Sequence, residues 1–242
     1  MKFFNLISVV GNHKTSTWYY SFFPEGYHNN GTLYFCEFCL NFYLDADCLV
    51  RHMKKCTLVC PPGDLIYKDD QRKNAVFEID GKINRTYCEN LSYLAKLFLD
   101  HKFMKYNTDP FLFYVLTEYD EFGYHIVGYF SKNKYFHEQN HNLNCILVLP
   151  FHQKKGYGKF IVNFSYELTA IENRIGTPET PLSDMGRQLY MAYWTQRLVK
   201  YFLELSEKQK ADLTIAKMSK ELFMKEKDII GELFYFFKFR RT

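Results

Sequence analysis

Cys145-Ile146-Leu147-Val148-Leu149-Pro150-Phe151-His152-Gln153-Lys154-Lys155-Gly156-Tyr157-Gly158-Lys159 is the stretch whose reading decides the fold class. Cys145–Leu149 is an apolar strand stopped by Pro150, and a helix beginning near Gly158 is read over Phe160–Arg174. The glycines between them let the backbone approach a ligand, and consecutive amide N–H groups at a helix N-terminus bind phosphate. Lys154, Lys155 and Lys159 add positive charge. The loop lacks the G-x4-G-K-[ST] pattern of a P-loop, and it is not the dinucleotide-binding glycine fingerprint. Its strand–loop–helix setting points to a pyrophosphate; a solvated basic turn is the simpler alternative.

Outward from this stretch, strands and helices alternate. Ala75–Ile79 reads as a strand running into a turn at Asp80-Gly81, and Phe111–Glu118 and Tyr124–Ser131 as a hairpin around Tyr119–Gly123. Leu91, Leu94, Ala95, Phe98 and Leu99 give helical spacing to residues 88–103, and a long helix is expected from about Gly186 to Leu205. The last forty or so residues read as two short helices and an aromatic end, Phe234–Phe239. Met1–Val10 carries a charge and a short apolar run, but Asn5 and Ser8 interrupt it and no cleavage signal follows, so it reads as a strand. The alternation predicts an α/β fold with a helical tail.

Composition excludes more than it identifies. A chain of 242 residues with 47% hydrophobic and 24% charged residues is neither disordered nor collagen-like. No apolar run approaches the roughly eighteen residues a membrane span needs. The net charge of +4 does not by itself imply nucleic acid. Seven cysteines, an odd number, argue against a closed disulfide framework.

Four residues have the ligand spacing of a structural zinc site: Cys36-x2-Cys39-x12-His52-x3-Cys56. Tyr34, Tyr43 and Leu49 stand where a ββα finger places its small apolar core. Counting back from His52, the base-reading positions of a finger helix would be Asp45, Cys48 and Arg51, and only Arg51 suits that task. The finger therefore reads as a scaffold, with Cys48, Cys60 and Cys88 structural.

Longer motifs then make the chain resemble the MYST family of histone (lysine) acetyltransferases. They are Tyr34-Phe35-Cys36-Glu37-Phe38-Cys39-Leu40, Leu97-Phe98-Leu99-Asp100-His101-Lys102, Asp109-Pro110-Phe111-Leu112-Phe113-Tyr114 and His125-Ile126-Val127-Gly128-Tyr129-Phe130-Ser131-Lys132. Gly156-Tyr157-Gly158-Lys159, Phe164-Ser165-Tyr166-Glu167-Leu168, Gly176-Thr177-Pro178-Glu179, Pro181-Leu182-Ser183-Asp184 and Ala192-Tyr193-Trp194 complete the series. They run colinearly over about residues 7–235.

The resemblance implies acetyl transfer from acetyl-CoA to a protein lysine, on a GNAT-like sheet–helix core between an N-terminal zinc-finger segment and a C-terminal helix-turn-helix-like segment. It implies one domain over 1–242: an N-terminal part, 1–80, with the finger at 34–60; a cofactor-binding core, 81–185; and a helical part, 186–242. Glu179 matches the family's general base and Cys145 its active-site cysteine. That thiol either carries the acetyl group or packs beside the thioester while the amine attacks directly, and spacing does not separate the two. Ile146 and Val148 match backbone that pairs with the pantetheine arm, and Gln153, Lys154, Lys155, Gly156, Tyr157, Gly158 and Lys159 match the pyrophosphate loop. Ser183 matches a serine beside the departing thiolate, with a helix N-cap as the plainer role. Lys102 matches a lysine that family members acetylate on themselves.

The sequence departs from the family pattern at several places. Lys154 replaces an arginine, which turns a bidentate fork into a point charge. Ala192 replaces a serine, Asn144 a small alanine, and 133–142 is one residue longer. Histone tails and nucleosomes are the implied substrates, a chromatin-modifying complex the implied partner and the nucleus the implied location. The basic end, Lys238, Arg240 and Arg241, allows weak nonspecific DNA contact, and no membrane is implied. No chromatin-reader module precedes residue 1, so targeting is expected from partners or further sequence.

Overall fold

The structure, a computed structural model, describes residues 7–19, 23, 31–100, 107–135, 140–206, 208, 210 and 212–239. Lys102, Arg240, Arg241 and the side chain of Lys238 lie outside the described residues. Two compact units result: Met1–Lys134 with Leu147–Tyr157, and Tyr135–Ile146 with Gly158–Thr242.

The first unit carries two sheets. Strands β1 (Ile7–Val10), β2 (His13–Ser16), β3 (Thr32–Phe35) and β4 (Phe42–Tyr43) form one, ordered β2-β1-β3-β4, beside helix α1 (Ala46–Met53). Of the N-terminal segment expected as a strand, Ile7–Val10 is one, and residues 1–6 lie outside the described residues. The expected ββα finger is present as β3, β4 and α1, and the parallel pairing of β1 with β3 builds it into a larger sheet.

The other sheet contains β5 (Asp64–Asp69), β6 (Asn74–Asp80), β7 (Phe111–Tyr119), β8 (Tyr124–Asn133) and β10 (Cys145–Val148), ordered β10-β8-β7-β6-β5. The expected hairpin is the antiparallel β7–β8 pair. Strand β5 carries no clean alternation in Asp-Leu-Ile-Tyr-Lys-Asp because it is a largely exposed edge, so pattern reading passes over it. After Asp80 the chain turns into helix α2 (Arg85–Lys96). The Asp80 carboxylate organises that turn, accepting from the Lys82 amide at 2.7 Å and the Lys134 ammonium at 2.8 Å. Helix α2 starts and stops earlier than the 88–103 reading, but its periodic residues Leu91, Leu94 and Ala95 are fully buried. They pack with Phe35, Phe77, Ile79, Phe113, Val115 and Tyr129 into one core.

The second unit is mainly helical: α3 (Tyr157–Ile171), α4 (Asp184–Glu204), α5 (Ile215–Leu222) and α6 (Glu226–Phe239), with a short parallel pair of β9 (His141–Leu143) and β11 (Thr177–Pro178). Helix α3 begins three residues before Phe160 because the glycine-rich turn is itself the first turn of the helix. Val162, Tyr166, Tyr190, Tyr193, Leu198, Met218, Leu222, Met224 and Ile229 form its core. The Tyr166 and Tyr193 rings stack at 4.6 Å, and the Trp194 indole N–H donates to the Tyr166 hydroxyl at 2.8 Å. Residues 234–239, expected as a separate aromatic end, continue α6. No helix among the described residues is long and apolar enough to cross a membrane.

Gly128 fixes the approach of β8 to β10. A Cβ there would meet the Leu147 carbonyl oxygen at 2.4 Å, well inside van der Waals contact with a backbone atom that cannot swing away. Gly128→Ala should therefore cost about 1–3 kcal/mol, the usual range for overpacking. Chemical denaturation measures the loss, and amide exchange should quicken at residues 147–149, which face Gly128 and Val127.

Candidate metal centre and catalytic site

The finger's four candidate ligands converge. Their ligand atoms lie within 4.8 Å of one another, with Cys36 Sγ 3.9 Å from Cys56 Sγ and Cys39 Sγ 3.2 Å from His52 Nε2. A tetrahedral zinc with metal–sulfur bonds of about 2.3 Å sets its sulfurs about 3.8 Å apart, so the residues fit the ion. Local backbone bonds produce this geometry. The Cys36 amide donates to Asn41 O and the Leu40 amide to Cys36 O, both at 2.9 Å, with Leu40 at φ 60° closing the knuckle. The Cys56 amide donates to His52 O at 2.9 Å, prolonging the helical turn that sets the x3 spacing. The thiols also behave as a group: a hydrogen bond with Cys39 holds Cys36 down at about 5, against burial, while that bond pushes Cys39 up. Three sulfurs and an imidazole nitrogen converging on one point are the donor set of a structural zinc ion.

The three base-reading positions are spent within the protein. Asp45 caps α1, its Oδ1 accepting from the Asp47 amide at 3.0 Å, and the Arg51 guanidinium donates to Cys48 Sγ at 2.9 Å. Cys88 is fully buried, and burial pushes its thiol up to about 12, as suits a structural residue.

In the second unit, the segment carrying Glu179 is held from both sides. The Thr177 amide donates to Asn140 O at 3.1 Å and the Glu179 amide to Leu143 O at 2.8 Å. On the other flank the Gly176 amide donates to Phe223 O at 2.9 Å and the Lys225 amide to Gly176 O at 3.2 Å. Phe223, at φ 57°, ends α5 and turns the chain toward Gly176. The Glu179 side chain is exposed, and its Oε2 accepts a 3.1 Å hydrogen bond from Asn144 Nδ2. Asn144, which holds this carboxylate, immediately precedes the half-buried Cys145 in the chain. Burial pushes the nearby His141 imidazole below its usual value, with the Glu179 charge opposing. Ser183 caps α4, its Oγ accepting from the Gly186 amide at 3.1 Å.

The residues of the basic loop divide their tasks. Gly156 adopts φ +90°, a left-handed conformation that side chains rarely take, with open space where a Cβ would stand. Lys154, Lys155 and Lys159 are exposed, and helix α3 starts at Tyr157, where its first amides lack intrahelical partners. Two side chains expected at the ligand are engaged elsewhere. Gln153 Nε2 donates to Val148 O at 3.0 Å, and the Tyr157 hydroxyl donates to Glu118. Burial and then Glu118 raise the Tyr157 phenol to about 12. Ile146 and Val148 lie on β10, an edge strand of its sheet.

Comparison with known proteins agrees with this arrangement. The MOZ/SAS family model matches residues 60–239, and the MYST family zinc finger domain model matches residues 3–56. The chain belongs to the MYST family. It is 50% identical over 224 residues to "Histone acetyltransferase of the MYST family 2" of Arabidopsis thaliana, covering 93% of this chain and 49% of that protein. It is 49% identical over 224 residues to "Histone acetyltransferase of the MYST family 1" of the same plant, with the same coverage. To the "Histone acetyltransferase Tip60 homolog" of Caenorhabditis elegans it is 47% identical over 225 residues, 93% of this chain and 48% of the relative. The chain spans about half the length of the curated relatives it matches.

Membership in the MYST family makes the Cys3His cluster a structural zinc site. It leaves unexplained some residues that spacing could not single out. Glu118 receives Tyr157 and lies 3.9 Å from the buried His152, whose imidazole burial lowers to about 4. A lone glutamate near a strand end carries no signal of this. His125 is likewise inconspicuous in sequence. Its Nδ1 meets Glu37 Oε2 at 2.7 Å and its Nε2 Asp120 Oδ1 at 3.0 Å, joining the zinc knuckle to the β7–β8 turn.

Cys56→Ser should lower bound zinc from about one ion per chain and depress the melting temperature steeply, because zinc binding in such fingers is folding free energy. Metal analysis and calorimetry read both effects. His125 gives a pH signature. Burial opposes its charge, but Asp120 and Glu37 more than offset that and hold the imidazole above its usual 6.5. The stabilisation is then complete below about 6.5 and lost as pH rises through the higher folded value. Between pH 6 and 9 the melting temperature of the parent should fall more than that of His125→Gln.

Proposed function

We propose that this chain is the catalytic portion of a protein lysine acetyltransferase that uses acetyl-CoA, acts on histone tails within nucleosomes and serves transcription regulation in the nucleus. The observation that carries this reading is the exposed Glu179 carboxylate, stitched by backbone and side chain to the residues that lead into Cys145. The curated relatives named as histone acetyltransferases support the same class.

The chemistry needs a base. A lysine ammonium has a pKa near 10.4, so freeing its amine at pH 7 costs about 4.6 kcal/mol. Glu179 accepts that proton. The amine nitrogen then bonds to the acetyl carbonyl carbon as the carbon–sulfur bond breaks, and the electron pair leaves on sulfur. The proton that nitrogen sheds in becoming an amide ends on that thiolate, giving the free thiol of CoA. Ser183 serves two ends: its oxygen accepts from Gly186, which leaves its hydroxyl proton free to donate to the departing sulfur. Cys145 packs beside the thioester while the amine attacks directly.

For acetyl-CoA, the edge position of β10 puts the main chain of Ile146 and Val148 where the pantetheine arm can pair with it in the manner of an added strand, with Val148 O already accepting from Gln153. The turn from Gln153 to Lys159 offers helix-start amides and three lysines to the pyrophosphate. Gln153 and Tyr157 contribute by shaping that turn, through Val148 and Glu118. The zinc finger shapes the N-terminal part and takes no step in the reaction. We further infer that 1–80, 81–185 and 186–242 act as one catalytic domain, that Lys102 is acetylated by the enzyme itself, and that chromatin-complex subunits and weak DNA contact aid targeting.

Transfer of labelled acetyl from acetyl-CoA to histones or nucleosomes tests the proposal, with partner subunits supplied. Glu179→Gln should lower the rate by about 10²-fold or more, the scale of general base catalysis. Cys145→Ala should keep most of the activity. No transfer by the zinc-loaded parent sinks the enzyme reading, and a dead Cys145→Ala with an isolable acetyl-enzyme moves the chemistry to the thiol.

A further inference from the structure

We propose that Asn144 is a positioning residue for the proton-accepting carboxylate, an inference that rests on the reading of Glu179 as the base. The backbone bond from the Glu179 amide to Leu143 O, 2.8 Å, fixes where the side chain starts. The 3.1 Å bond from Asn144 Nδ2 to Glu179 Oε2 fixes where it ends. Both anchors come from adjacent residues, Leu143 and Asn144, and the next residue is Cys145.

A glutamate on an exposed loop would otherwise distribute its carboxylate over several rotamers, most of them turned away from an incoming amine. An ionised carboxylate can only accept, so its holder must donate, and the asparagine amide supplies two N–H groups. With Oε2 engaged, Oε1 is presented to the amine. Such a device improves orientation without touching either substrate, and its loss should appear in kcat and not in KM.

Steady-state kinetics on the full chain, with acetyl-CoA and a histone-tail peptide, test this. Asn144→Ala should lower kcat roughly five- to tenfold while both KM values stay within about twofold. Asn144→Asp keeps the size, removes the donor and sets a second carboxylate against Glu179, so it should lower kcat further. Asn144→Gln, which restores an amide donor, should recover part of the loss. In a Glu179→Gln background, Asn144→Ala should change the residual rate by less than about twofold, because its effect passes through the glutamate. Circular dichroism and melting curves confirm that each variant folds, and Asn144→Asp carries the test where the alanine variant does not. Unchanged kcat in Asn144→Ala and Asn144→Asp, or the same loss with and without Glu179, overturns the positioning role alone. Parental kcat in Glu179→Gln overturns the base assignment itself.

Discussion

Four backbone hydrogen bonds around the Gly176–Glu179 segment are the constraint on which the catalytic reading depends. Two fasten it to the 140–143 stretch and two to the chain between α5 and α6. A loop glutamate is ordinarily a mobile, solvated charge. Here the main chain on either side of it is already satisfied, so the carboxylate starts from a fixed point. The C-terminal helices thereby gain a purpose beyond packing: the left-handed turn at Phe223 presents the carbonyl that receives Gly176. The tail that resembles a nucleic-acid-binding motif in sequence supplies, in structure, the backbone partners of Gly176, three residues before Glu179.

A similar economy holds at the finger. An isolated ββα finger buries little and depends on its metal. This one shares Leu33, Phe35 and Leu40 with a core that also contains Phe77, Leu94 and Tyr129. His125 adds a polar tie through Glu37, which lies between two zinc ligands in sequence. The helix residues that would read DNA bases in a free finger are used for capping and mutual contact instead. Zinc therefore stabilises a larger unit, in keeping with a scaffold role.

Much of this was legible in sequence, and what was missed has a physical pattern. Ligand spacing announced the metal cluster because a tetrahedron constrains local separations, and Cys36-x2-Cys39 and His52-x3-Cys56 are each a single turn of chain. Periodicity found α3, α4 and the β7–β8 hairpin because their burial alternates. It passed over β5, whose exposed edge imposes no alternation, and it placed α2 three residues late because the first turn, Arg85-Thr86, is polar and exposed and the buried residues begin at Tyr87. Contacts such as Asn144–Glu179, Glu118–Tyr157 and His125–Glu37 join residues 35, 39 and 88 positions apart, and no local pattern encodes them. Asn144 stood out only as a departure from the family pattern beside Cys145. Glu179 and Cys145 owed their roles wholly to resemblance.

Charge shows the same difference between local and distributed information. A net charge of +4 says little, because many ionic groups are committed within the fold: Lys134 to Asp80, Arg85 to Asp109, His125 to two carboxylates. Among the described residues, none of Lys154, Lys155 and Lys159 is in an ion pair, although they crowd within six positions at a helix start. Three like charges so placed repel one another, and a fold gains nothing by gathering them without an anion to share. The proposed pyrophosphate supplies that anion. The substitution of lysine for arginine at 154 then weakens geometric selection at the phosphate while leaving the attraction in place, because the point charge survives and the planar fork does not.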